Sequence, residues 1–180
     1  MGLTSIKHKN QQPPRTAMEV FDMLPEGTLA EVINNVLFMS PAPSFEHQDL
    51  LSELVSQIRT FVKNNRLGKC VVAPVDVYLG HQNAVQPDIV FISAKNLGIV
   101  KNGKIKGVPD ILIEILSGNS KHDLQIKKDL YEKFGVKEYF IVQPFSKKVT
   151  AYFFEGDKFQ LQESKAGKIK SKLLKKTFSF

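Results

Sequence analysis

Apolar residues recur at two spacings along the chain, and the switches between them mark out its elements. Ala17, Val20, Phe21 and Leu24 form one stripe behind Thr16, whose hydroxyl suits a helix cap, so a short helix is predicted through about Leu24. Pro25-Glu26-Gly27 turns the chain. Thr28 to Asn34 and Val36 to Ser40 read as two strands joined at Asn34-Asn35, where asparagine tolerates the left-handed backbone of a tight turn. After Pro41 and Pro43, Leu50, Leu51, Leu54, Val55, Ile58, Phe61 and Val62 recur every three or four positions. They predict a long helix over 46–65, entered near Ser40 or Ser44 and terminated by Gly68.

Strand-like runs follow at 69–79 and 86–93. Residues 94–109, with Gly98, Gly103, Gly107 and Pro109, read as a loop longer than most connections within a compact domain. Residues 110–116 are a strongly apolar strand, and 123–134 a charged amphipathic helix stopped by Gly135. A further apolar strand covers 138–143, and 147–154 with 158–163 form a hairpin about Gly156-Asp157. The lysine-rich tail ends in alternating Phe178 and Phe180. Residues 1–15 are expected to be a flexible arm and 16–180 a single domain, with no internal repeat. The alternation of helices and strands indicates an α/β domain with a mixed sheet.

Composition narrows the class. With 180 residues, 42% hydrophobic and 24% charged, the chain matches globular averages and excludes coiled coil or collagen as its main description. No apolar window is long enough to span a membrane, and the basic N-terminal segment lacks the apolar stretch of a secretory leader, so a cytoplasmic protein is expected. A lone Cys70 excludes an internal disulfide framework and reads as an inert buried thiol. Charge is uneven: residues 1–90 carry 7 Lys and Arg against 9 acids, and residues 91–180 carry 18 against 9. A basic half fits either a phosphate-backbone partner or a solvated lysine-rich surface.

Three carboxylates fall among apolar residues. Glu114 lies within ILIEIL and shares a face with Leu112 and Leu116. Asp88 opens DIVFI on the face of Val90 and Ile92, and Glu31 sits between Leu29 and Ile33. A buried carboxylate costs several kcal/mol, roughly, unless a cation or strong donors accompany it. Each acid alone fits a salt bridge or a strand end; a divalent metal site accounts for all three together. On the helix after Glu114, Asp123, Lys127 and Tyr131 are four apart and stack on one face, so Lys127 either pairs with Asp123 or reaches over the end of a neighbouring strand. Asp76 reads as a hydrogen-bonded structural acid. His8, His81 and His122 lack metal-ligand spacing, and Ser117-Gly118-Asn119-Ser120 reads as a helix cap.

The ordered set Glu31, Gln86-Pro87-Asp88, Glu114 and Lys127 resembles the PD-(D/E)XK nuclease superfamily, and within it the bacterial family of putative restriction endonucleases of unknown target. The likeness runs over roughly 17–178, through LAEVINNVLFMSPAP, EHQDLL, APVDVYL, VQPDIVFIS, GVPDILIEILSGNS, DLQIKKDLYEKFGV and KEYFIVQP. It implies a restriction-endonuclease-like α/β fold, a central mixed β-sheet flanked by helices. It implies that Asp88, Glu114 and the Ile115 carbonyl ligate Mg²⁺, with Mn²⁺ as a substitute, that Glu31 joins them directly or through water, and that Lys127 is the catalytic lysine. Leu116 stands where the superfamily's lysine usually sits; the resemblance implies that in this branch the following helix supplies it, at Lys127, with the neighbouring candidate Lys128 about 100° away on that helix. His47, Gln86, Asp123 and Tyr131 are supporting candidates. The expected activity is metal-dependent hydrolysis of DNA phosphodiesters by a homodimer of weak sequence specificity. The alternatives are a silent nucleic-acid-binding protein and a metal-dependent hydrolase of small phosphoesters.

Overall fold

The computed structural model describes residues 13–117, 121–164 and 166–180, with the backbone alone for 121–123, 163 and 164. Most of the arm expected at 1–15 and most of the cap expected at 117–120 therefore lie outside the described residues, as do His8 and the His122 side chain.

Helix α1 (Ala17–Met23) is capped by Thr16, whose hydroxyl accepts the Glu19 N–H. Strands β1 (Ala30–Ile33) and β2 (Val36–Met39) form the expected hairpin, with Asn34 and Asn35 both at positive φ, 50° and 59°. Helix α2 (Phe45–Asn64) is capped by Ser44 and buries Leu50, Leu51, Leu54, Ile58 and Val62. Its terminator is not Gly68. Asn65 caps the helix, Arg66 takes the positive φ, and Gly68 opens β3 (Gly68–Val72), where a Cβ would collide with the Ile92 carbonyl.

The runs expected as single strands at 69–79 and 86–93 are each divided between two sheets. β3 and β6 (Ile89–Ser93) pair with each other, whereas β4 (Val77–Tyr78) and β5 (Ala84–Val85) join β1. The expected loop at 94–109 instead holds a 3₁₀ helix (Ala94–Ile99) and a hairpin of β7 (Val100–Lys101) and β8 (Lys104–Lys106). Asn102-Gly103, both at positive φ, make its turn, and the Asn-Gly pair was the sequence signal for it.

The remaining elements are β9 (Ile111–Ile115), α3 (Lys121–Phe134), β10 (Glu138–Val142), β11 (Val149–Glu155), β12 (Lys158–Ser164), β13 (Lys168–Ser171) and β14 (Lys176–Ser179). Gly135 ends α3 with φ 74°, and the Val136 N–H closes back on the Tyr131 carbonyl. The strands make two six-stranded mixed sheets, β2-β1-β5-β4-β8-β7 and β12-β11-β10-β9-β6-β3, plus the β13-β14 pair. The expected α/β fold of mixed sheet and flanking helices is the one observed, with its strands divided over two large sheets rather than gathered in one.

Strands β6, β9 and β10 are buried on both faces, which is why they read as unbroken apolar runs. Ile89, Phe91, Ile111, Ile113, Phe140 and Val142 pack toward α2 and the C-terminal hairpin. Val90, Ile92, Leu112, Tyr139 and Ile141 pack toward α3 and the first sheet. The tail is therefore core: Ile169 and Phe178 are buried, and Phe178 meets Phe61 edge-on at 5.8 Å. Phe178→Ala should cost about 3–5 kcal/mol, the scale of a buried aromatic truncation, and half-buried Phe180→Ala clearly less; denaturant midpoints will separate them.

Candidate active site

β6 and β9 are antiparallel with Ile89 opposite Ile113, so one step further Asp88 and Glu114 stand side by side on the α3-facing side of the second sheet. The Ile115 N–H donates to Asp88 Oδ2 at 2.6 Å, fixing the carboxylate, and Asp88 Oδ1 lies 3.2 Å from His47 Nε2 at the start of α2. Glu31 arrives from β1 of the first sheet. Its Oε1 accepts the Gln86 N–H at 2.7 Å.

Lys127 closes the group. Its ammonium lies 2.9 Å from Glu31 Oε2 and 3.1 Å from Glu114 Oε1, and the Tyr131 hydroxyl, one turn along α3, donates to the same Glu114 oxygen at 2.8 Å. Lys128 points elsewhere, to Asp129 and Glu132, with its ammonium over the Tyr152 ring. Two adjoining hollows of about 300 and 290 Å³ open here and share Glu31, Ser40, Pro41, Glu114 and Lys127; Asp88 and His47 line the second.

The electrostatics follow from two carboxylates meeting one ammonium in a desolvated place, with the charge of Asp88 acting on Glu114. Burial, then the like charges of Asp88 and Glu31, push the Glu114 carboxyl up to about 7, although Lys127 and Tyr131 pull it down. Burial works against the Lys127 ammonium, but the charges of Glu114 and Glu31 outweigh it and hold its pKa above that of an ordinary lysine. The hydrogen bond to Asp88 raises the His47 pKa. Burial keeps Tyr131 protonated, as a donor.

A family model described as putative restriction endonuclease, Uma2, matches residues 17–175. The chain belongs to the Uma2 family. Among solved structures, the fold resembles the crystal structure of a putative nuclease belonging to DUF820 from Anabaena variabilis, with a TM-score of 0.69 and 23% identity over 84% of this chain and 86% of that one. No curated protein matches the chain.

In this Uma2 protein the structure brings together Glu31, Asp88, Glu114, Ile115, Lys127, Tyr131 and His47, with the Gln86 backbone among them. The Gln86 side chain faces away and bonds the Thr28 carbonyl and Asp76 Oδ1, so Asp76 is hydrogen-bonded as expected and steadies Gln86. Asp123 is on α3, but its side chain lies outside the described residues. Sequence reasoning missed the cleft wall of Ser40, Pro41, Pro43 and Pro74, and the pairing of Asp76 with Lys104 at 3.4 Å. The Pro41-x-Pro43 spacing after β2 was the available signal for the wall.

Glu114 and His47 both bind their protons more tightly folded than unfolded, and so does Glu138, raised by burial. Their stabilising contribution is complete in acid, below their ordinary pKa values, and is lost as pH rises through the folded values. The metal-free protein should therefore lose stability between about pH 5 and 8, on the order of 2 kcal/mol from Glu114. Thermal melts across that range check this: Glu114→Gln should flatten the slope to the share of His47 and Glu138, and an unchanged slope would contradict it.

Proposed function

We propose that this protein hydrolyses phosphodiester bonds of DNA with Mg²⁺ as cofactor, Asp88 and Glu114 facing the bound ion and Lys127 facing the reacting phosphate. The observation that carries this reading is the Lys127 ammonium held between Glu31 and Glu114 in a cleft that Asp88 also lines. Membership of a family described as putative restriction endonuclease supports the choice of substrate.

The donor set fits a hard cation of modest ligand demand. Among the described residues no three carboxylate, imidazole or thiolate side chains close on one position. Mg²⁺ does not require that: it takes one or two carboxylates and keeps water and phosphate oxygens. Asp88, Glu114 and the Ile115 carbonyl would hold it, the two carboxylates being neighbours across the β6-β9 pair and lining the same cleft. Bound there, the ion supplies Lewis-acid polarisation of the phosphate and of water.

The chain's own groups do the rest. Lys127 is an ammonium in this arrangement, so it acts as a fixed positive charge and hydrogen-bond donor rather than as a base. Glu31, with both oxygens engaged by Gln86 and Lys127, positions that ammonium. Tyr131 orients Glu114, and His47 with the Ile115 N–H orients Asp88. A homodimer would bring two such clefts to one duplex, as a double-strand cut in one encounter requires.

Purified protein should cleave DNA with Mg²⁺ or Mn²⁺ and not with chelator, and Lys127→Ala should lower turnover about 10²-fold or more. Mg²⁺-dependent thermal stabilisation should survive in Lys127→Ala and vanish in Asp88→Asn. Adding Leu116→Lys to Lys127→Ala should recover part of the activity, because position 116 lines the same cleft. Lys128→Ala should cut as the parent does. DNA binding without cleavage under every metal would favour a silent binding protein, and faster turnover of model phosphoesters than of DNA would favour a small-phosphoester hydrolase.

A further inference from the structure

The cleft leaves unexplained the turn that leaves the same end of the sheet one strand away. β9 and β10 run parallel with Ile115 beside Val142, and the Leu116 N–H donates to the Val142 carbonyl at 2.9 Å. The residues after Val142 therefore emerge where the residues after Glu114 emerge, about 4.8 Å across the sheet. Ligands of open α/β sheets gather at such carboxyl ends of strands.

Turn 143–148 is held in shape. The Gln143 N–H donates to the Lys148 carbonyl at 2.9 Å, the Ser146 hydroxyl to Gln143 Oε1 at 2.7 Å, and Lys147 takes a left-handed backbone with φ 51°. At its tip Phe145 is 86% exposed, more than any other large apolar residue described. The C-terminal hairpin lies alongside: the Gly167 N–H donates to the Lys147 carbonyl at 2.7 Å, and the Lys147 ammonium is 5.8 Å from the Phe180 ring centroid. Residues 143–148 and 166–180 together carry seven lysines and no acid.

A phenyl ring held out in water, on a turn with two lysines of its own beside a lysine-rich hairpin, is complementary to a base and its phosphates. Every base offers a π-face, but inside a duplex both faces are already stacked, so the fit is to an unpaired nucleotide. Resting on the nuclease reading above, we propose that turn 143–148 is a platform for single-stranded DNA. Phe145 stacks on an unpaired base of the strand entering the cleft, and Lys147 and Lys148 hold its phosphates.

The test is fluorescence anisotropy of the full chain in EDTA, where nothing is cut, with a labelled single-stranded oligonucleotide of about 20 nucleotides and its blunt duplex. Phe145→Ala should weaken single-strand binding about tenfold and leave duplex binding within about twofold, and Phe145→Trp should restore it. Lys147→Ala with Lys148→Ala should reduce the salt dependence of single-strand binding by about 1.4 in log–log slope. Because Phe145 projects into water, unchanged melting temperatures will show that these variants fold. No measurable single-strand binding by the parent, unchanged binding by Phe145→Ala, or an equal loss on both DNAs would overturn the platform. The two readings separate cleanly. A parent that binds single strands through Phe145 but never cuts retains the platform and loses the nuclease. A parent that cuts while Phe145→Ala binds as the parent does retains the nuclease and loses the platform.

Discussion

The arrangement turns on one partly buried ammonium. Lys127, on α3, is shared between Glu31 of the first sheet and Glu114 of the second, so a single charge ties together three elements far apart in the chain. Desolvating such a pair costs several kcal/mol per ion, roughly, and is repaid only where the geometry is close and the remaining lone pairs are satisfied. Here they largely are: Gln86 donates to Glu31, Tyr131 donates to Glu114, and the Ile115 N–H and His47 face Asp88. Removing the ammonium would leave two buried carboxylates facing each other, so the position is demanding for the fold.

That ammonium comes from a helix rather than from a strand. A lysine at position 116 would be held by the strand itself, whereas one on α3 depends on where the helix ends and what it packs against. The turn at Gly135 and the edge-on contact of Tyr131 with Tyr139, ring centroids 4.9 Å apart, pin α3 to β10 and thereby to β9. Tyr131 serves both purposes, with its ring in the core and its hydroxyl on Glu114. Burial above all, and then the like charges of Asp88 and Glu31, push the Glu114 carboxyl up to about 7.

Much of this was legible along the chain, because the relevant periodicities are local. Period two put Glu114 with Leu112 and Leu116, and Asp88 with Val90 and Ile92, and those faces are the ones observed toward α3. A spacing of four put Lys127 and Tyr131 on one helix face and turned Lys128 away, since successive helical residues differ by about 100°. Asn34-Asn35 and Gly135 marked turns whose backbone few other residues adopt. What period and turn chemistry cannot carry is which strand meets which. The division of 69–79 and 86–93 between two sheets, the β7-β8 hairpin within 94–109, and the packing of the lysine-rich tail into the core are settled by contacts between distant segments. So is the partner of Lys127: the sequence left open a bridge to Asp123 or a reach across the strand end, and only folding placed Glu31, 96 positions earlier, within 2.9 Å of the ammonium. Residue type and local face were properties of the sequence by itself, and the meeting of those faces in one charged pocket was decided by the tertiary structure, because burial and strand register are properties of the whole chain.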